Sequence, residues 1–204
     1  MNQLKSSTSA AAIVAALLLP SAAMAACSVP SSGLIVVDDL CFYDLGPGTV
    51  HSVFADHRSL FDVVNRGEMN DYTPGAYGAL DVRYGFDFSF VNEGTMKGYA
   101  AGISVFDSWY FGLYNEGTID SESDSGIAVR HSRDFDLINS GTIDGYYGAI
   151  QIVDGENFHL LNTETGVLKG NGSSLDVSGR GDVTIENHGR MESFVTLRVE
   201  ARML

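Results

Sequence analysis

An Asn-x-Gly unit recurs along this chain at Asn65, Asn92, Asn115, Asn139 and Asn187, and a sixth copy, Asn162 to Gly166, carries two extra residues. Successive Asn residues stand 27, 23, 24, 23 and 25 positions apart. Self-similarity at such a period is the mark of one supersecondary unit stacked on copies of itself, and it constrains the fold before any local propensity does. The flanks repeat in register with the Asn. Four residues before it stand Phe61, Phe88, Phe111, Phe135, Phe158 and Val183, and two before it Val63, Phe90, Leu113, Leu137, Leu160 and Ile185. Small or polar residues separate the two columns (Asp62, Ser89, Gly112, Asp136, His159, Thr184), so each flank alternates with a period of two, as a half-buried strand does. Met69, Met96, Ile119, Ile143, Leu168 and Met191 follow each Asn, and a further alternating pair closes each unit: Leu80/Val82, Ile103/Val105, Ile127/Val129, Ile150/Ile152, Leu175/Val177 and Val195/Leu197.

Three short strands per unit, separated by Gly-, Asn- and Asp-rich turns, predict an all-β chain folded as a parallel β-helix of about six coils. Helices are excluded by the two-residue period and by Gly inside every unit, at about 1 kcal/mol each in a helix interior. A propeller blade needs ~40–45 residues, and a leucine-rich repeat needs an L-x-x-L-x-L consensus that is absent. Coils stacked ~4.8 Å apart place equal positions above one another, over a rod on the order of 29 Å for six coils. The phenylalanines are then expected to form an internal stack. Asn65, Asn92, Asn115, Asn139, Asn162 and Asn187 are expected to form a buried amide ladder, and the Gly after each Asn to supply a positive φ. One coil alone buries too little to offset ordering its backbone, so stability rests on stacking. The column just before the Asn (Val64, Val91, Tyr114, Ile138, Leu161, Glu186) has two readings, a turn corner or an exposed apolar stripe.

The ends differ from the middle. Lys5, the apolar run Ala10–Leu19, and Ala23-Met24-Ala25 read as a secretory signal peptide over residues 1–25, cleaved before Ala26; a buried core helix is the competing reading. Residues 26–60 lack the repeat and are expected to cap the first coil, leaving residues 61–204 as the repeats. Cys27 and Cys41 are the only cysteines. After export they are expected to pair, closing a loop worth ~3 kcal/mol; lipidation of Cys27 is the alternative. The chain stops at Val199–Leu204 part-way into a coil, as the front of something longer would.

The signal peptide, the early cysteine pair and units such as Phe135-Asp136-Leu137-Ile138-Asn139-Ser140-Gly141-Thr142-Ile143-Asp144-Gly145 resemble the passenger region of bacterial autotransporters. That resemblance implies a right-handed parallel β-helix, a Gram-negative source, an outer-membrane or extracellular address reached through the periplasm, and an outer-membrane β-barrel translocator as partner. No barrel-type strand series follows the repeats in this sequence. The expected function is a surface-displayed structural or adhesin-like stalk that meets a host or cell-surface ligand.

A polysaccharide lyase or hydrolase on the same fold is the alternative, and the scattered acids Asp120, Glu122, Asp124, Asp144, Asp154, Asp176 and Asp182 are its raw material. Arg130 and Arg133 near His131 form the basic cluster a lyase would use, though a solvated loop explains them as well. With 26 acidic against 12 basic residues and a net charge of −14, a nucleic-acid partner is excluded. Neither a calcium-binding repeat nor metal-ligand His spacing occurs, so no metal or cofactor is expected. Arg180-Gly181-Asp182 is an adhesion-type tripeptide in a predicted turn, and equally ordinary turn chemistry.

Overall fold

A computed structural model describes residues 24–29, 32–48, 50–71 and 77–200. Among them there is no helix, and the strands pair in parallel into a β-solenoid of about six turns. Each turn has three sides. The Asn side stacks Ser59–Asn65, Phe86–Asn92, Trp109–Asn115 and Arg133–Asn139, then the ends of the long strands Gly148–Asn162 and Ser173–Asn187. The short side stacks Glu68–Asp71, Thr95–Gly98, Thr118–Ser121, Thr142–Gly145, Val167–Gly170 and Arg190–Met191. The return side stacks Gly78–Arg83, Ala101–Phe106 and Ile127–Arg130 with the beginnings of the two long strands. Residue pairs across the Asn side fall on the repeat, with Phe61 opposite Phe88, Phe88 opposite Phe111 and Phe111 opposite Phe135.

The interior follows from that register. Rings of Phe61, Phe88, Phe111, Phe135 and Phe158 lie centroid to centroid at 4.9, 4.9, 4.8 and 4.7 Å, the spacing of the coils themselves. Such pairs add ~0.5–1.5 kcal/mol each beyond the area they bury. At the next corner, Asn65 Nδ2 donates to Asn92 Oδ1, and the pattern continues through Asn115, Asn139, Asn162 and Asn187, each bond 2.8 Å. Asn65, Asn92, Asn139 and Asn162 have no exposed surface, so these amides meet no solvent. The Asn65, Asn92 and Asn115 backbone carbonyls each also accept two backbone N–H groups of the next coil's turn, Asn65 from Glu93 and Gly94, and those of Asn139 and Asn162 accept one.

Two expectations need correction. The glycine after each Asn does not have a positive φ; among the described residues the glycines that do are Gly33, Gly48 and Gly181. Its role is close approach: a Cβ on Gly117 would sit 1.9 Å from the carbonyl oxygen of Gly94, and one on Gly141 2.0 Å from that of Gly117. The left-handed residues lie instead at the corner before the Asn side and are not glycine. His57, Tyr84, Asp107, His131 and Asp154 form one such column, and Leu60, Asp87, Tyr110, Asp134 and Asn157 another.

The segment 26–60, expected to cap the first coil, lies on that coil with its own strands paired in the same parallel manner. Cys41–Leu45 pairs with Ser59–Asn65, placing Leu45 opposite Asn65, and Ser32–Val36 pairs with Val50–Asp56. It covers the first Asn-bearing coil by adding a coil, with Ile35, Tyr43 and Leu45 buried in the same core.

The column before the Asn is neither an open stripe nor a plain corner. Val64, Val91 and Tyr114 are buried in a small outer cluster with Phe42 and Ile138 packed on it, separate from the main core.

The pair Val195/Leu197 stacks in register on Leu175/Val177, yet it is 45% and 52% exposed because no described strand lies beyond it.

Cys27 and Cys41 form a disulfide, with Cα atoms 5.5 Å apart, which commits the Cys27 sulfur. The signal-peptide reading falls mostly on residues 1–23, outside the described residues; Ala25–Ala26, across the predicted cleavage point, pairs with Cys41–Phe42.

Candidate functional site

The outward face of the Asn side carries a groove along the rod axis, of about 420 Å³, crossing four coils. Two outward columns build most of it, and Met24, Phe88 and Phe111 also line it. The left-handed corner column supplies Leu60, Asp87, Tyr110 and Asp134, and the column two residues on supplies Asp62, Ser89, Gly112 and Asp136. Asp is among the residues that enter the left-handed region readily, which suits Asp87 and Asp134 to the corner; Leu60 and Tyr110 are held there by the fold. Tyr114 shapes the middle. Its ring folds back over Gly112, where a Cβ would meet the hydroxyl and ring at 2.6 Å. Gly112 is thus the floor that lets the ring lie flat in the column.

Four carboxylates therefore line one open channel, and no Lys or Arg lines it among the described residues. Asp62 accepts from the hydroxyl and backbone N–H of Ser89, at 2.5 and 3.1 Å. Burial nevertheless raises its pKa above the usual carboxylate value; the Ser89 hydrogen bonds oppose this and Asp87 adds to it. Asp134 accepts from Asn157 Nδ2 at 2.7 Å, and Asp136 lies 3.3 Å from His159 Nδ1 at the rim. Tyr114 is only 6% exposed, and it lines the groove. Burial, then Asp136 and Asp62, push its pKa up to about 12, so the neutral phenol faces the groove. The return side shows the usual remedy. Asp81, also raised by burial, is answered by Arg83 at 2.8 Å.

The residues singled out in the sequence lie elsewhere. Cys27 and Cys41 staple the first coil, and the Asn and Phe columns are buried, with only Phe88 and Phe111 of them bordering the groove. Arg180 is largely exposed, with Nε 3.5 Å from Glu156 Oε2. Gly181 has φ 81°, and the Asp182 backbone N–H donates to Asn157 Oδ1 at 3.2 Å. The tripeptide thus forms a corner inside the strand Ser173–Asn187. The basic cluster diverges: Arg130 reaches Asp124 and Gln151, His131 lies between Asp107 and Asp154, and Arg133 lies over the Trp109 ring. Asp144 is paired with Lys169, and Asp176 lies 3.5 Å from Arg198. No group of three or more His, Cys, Asp or Glu among the described residues is arranged to hold a metal ion.

Sequence reasoning missed Asp87 and Asp134. The available signal was the position just before each Phe, which reads Leu60, Asp87, Tyr110, Asp134, Asn157 and falls in an outward column of the predicted stack. Compared with known family models, curated proteins and solved structures, the chain has no match.

Proposed function

We propose that this chain is an exported, surface-displayed β-solenoid, the structural and adhesin-like rod of an autotransporter-type system. The observation that carries the reading is the unbroken pair of interior ladders, Asn65 to Asn187 and Phe61 to Phe158, which ties successive coils into one stiff body. Such a body holds its outward columns in fixed positions while leaving them free to vary. The Cys27–Cys41 disulfide supports an oxidising address, because disulfides persist outside the reducing cytosol. The partner in this reading is an outer-membrane β-barrel translocator.

Expression in a Gram-negative host, followed by mass spectrometry of the N-terminus and thiol labelling, tests the reading. The expected product begins at Ala26, has no free thiol, and is degraded by protease added to intact cells when joined to a translocator barrel. A product that keeps residues 1–25 and stays reduced in the cytoplasm overturns it. The acid-lined groove favours a second reading, a polysaccharide hydrolase. Clearing of pectin or alginate that is lost in Asp62→Asn would support that reading, and no clearing would remove it.

A further inference from the structure

The two ends of the described rod differ. At the first, Ile35, Val37, Tyr43 and Leu45 are at most 3% exposed, so the core is closed. At the other, Val183, Ile185 and Met191 are only partly buried, and Val195, Leu197 and Val199 are 45%, 52% and 38% exposed. Asn187 is exposed as well, whereas Asn162 beneath it has no exposed surface. This is the surface that each inner coil presents to the next, left open. Phe194–Glu200 pairs along one edge with Ser173–Asn187, and its other edge meets no strand among the described residues. Unpaired backbone groups beside an apolar face are a template for a further strand.

Three observations name the strand that fits. The first is the edge strand's own sequence, Phe194-Val195-Thr196-Leu197-Arg198-Val199-Glu200. Val195 and Leu197 stack on the buried Leu175 and Val177, so alternation turns Val195, Leu197 and Val199 toward the core. Those three positions read the same in both directions. Laid antiparallel on a copy of itself about Leu197, the strand sets Leu197 on Leu197 and Val195 on Val199, apolar on apolar across the inward face. On the outward face Thr196 meets Arg198 and Phe194 meets Glu200, while Arg198 keeps Asp176 at 3.5 Å. The second is charge. Within residues 187–200, Arg190 and Arg198 balance Glu192 and Glu200, in a chain with 26 acidic against 12 basic residues. Two such ends meet without the repulsion that the acidic sides of two rods would bring. The third is the closed end. Leu34 and Val36 are exposed there, but they alternate with the buried Ile35 and Val37 and so face away from the core. Head-to-tail stacking would therefore lay the open core on a surface with no core face to offer.

We propose that two copies of this chain join end to end, with their Phe194–Glu200 strands as antiparallel neighbours about a two-fold axis at Leu197. Such an interface uses the same patch of both copies and closes after two. The inference rests on the end coil alone and stands independently of export or surface display.

Cross-linking of the purified chain through Leu197→Cys tests the axis directly. Cys27 and Cys41 are bonded to each other, so the added thiol is the one free thiol. Opposed residues of antiparallel strands have Cα atoms ~4.5–5.5 Å apart, within the span a disulfide bridges. Mild oxidation should turn most of this variant into a covalent dimer on a non-reducing gel. Leu34→Cys at the closed end and Leu60→Cys on the side of the rod, both exposed, should stay monomeric. Sedimentation of the parent chain at micromolar concentration should give twice the monomer mass. Leu197→Lys opposes two ammonium groups at the axis and should raise the dimer dissociation constant by about tenfold or more, with circular dichroism reporting the fold. The proposal fails if the parent sediments as a monomer, or if it forms longer assemblies that Leu34→Lys abolishes. It also fails if Leu34→Cys or Leu60→Cys cross-links as readily as Leu197→Cys.

Discussion

Two columns one residue apart behave in opposite ways. Inward, the positions at Phe61, Phe88, Phe111, Phe135 and Phe158 hold one residue type through five coils, and the Asn column holds one type through six. Outward, the residue just before each Phe changes from Leu60 to Asp87, Tyr110, Asp134 and Asn157. The backbone at the two positions is equally regular, with every one of those outward residues near φ 54°. The difference therefore lies in what each side chain meets. An inward side chain meets a copy of itself 4.7–4.9 Å away, so it must fit that copy. An outward one meets solvent or a ligand, and the fold places no such demand on it.

The sharpest way to break this contrast uses glycine. Gly141→Ala places a Cβ 2.0 Å from a backbone oxygen of the coil beneath, which side-chain movement cannot relieve. Stability should fall by more than ~4 kcal/mol, or the cooperative transition in urea should vanish. Gly46→Ala, with nothing within 4 Å of the added carbon, should lie within ~0.5 kcal/mol of the parent. Comparable losses in both would mean that coil-to-coil approach is not what the repeat glycines serve.

The adjacent pair Tyr110 and Phe111 sharpens the same contrast. Phe111→Ala removes a ring stacked on both sides and should cost ~3–5 kcal/mol in chemical denaturation. Tyr110→Asn, at a half-exposed left-handed position that Asn favours, should stay within ~1 kcal/mol. Next in size is Asn115→Leu, which leaves Asn92 Nδ2 and Asn139 Oδ1 without their ladder partner, for a loss of ~2–4 kcal/mol. Leu45 already occupies the equivalent place at the head of the ladder, where Asn65 Oδ1 accepts from the Gly67 N–H instead. An apolar residue is thus tolerated at the ladder's head and costly inside it, and melts of Asn65→Leu against Asn115→Leu would measure that gap.

How much of this was legible in the sequence follows from the same distinction. The Phe and Asn columns could be read because stacking repeats a residue type at a fixed period. The first coil escaped because Leu45 replaces the marker Asn and Gly46-Pro47-Gly48 replaces the Asn-x-Gly turn. The left-handed corners escaped because Leu60, Tyr84 and Tyr110 carry none of the usual signs of positive φ, being held there by the fold. The groove escaped because Asp87 and Asp134 read as turn formers when each is taken alone. Only the three-dimensional stack sets them beside Asp62 and Asp136, and the fold of Tyr114 onto Gly112 leaves no trace in residue spacing.

The smallest expected effect compares two buried carboxylates, one on the groove and one on the return side. Asp62 and Asp81 both have pKa values raised above 3.8, first by burial. The folded chain therefore holds their protons more tightly than the unfolded chain does. Their contribution to stability is present below pH ~3.8 and is lost as pH rises through their folded values. Asp62→Asn removes one of these groups while its amide oxygen still accepts from Ser89, so thermal melts between pH ~4 and 7 should show a shallower fall than the parent. At neutral pH the variant should be at least as stable as the parent, because an ionised, partly desolvated carboxylate has been replaced by a neutral group. Asp81→Asn should also flatten the fall with pH, but its level at neutral pH should move the other way. It strands the Arg83 guanidinium, which has its carboxylate at 2.8 Å and the Tyr77 ring centroid at 4.4 Å, and stability at neutral pH should drop. Opposite signs at neutral pH would separate a groove acid without a Lys or Arg partner among the described residues from a structural acid that Arg83 answers. Equal signs would mean that both are ordinary parts of the rod's surface.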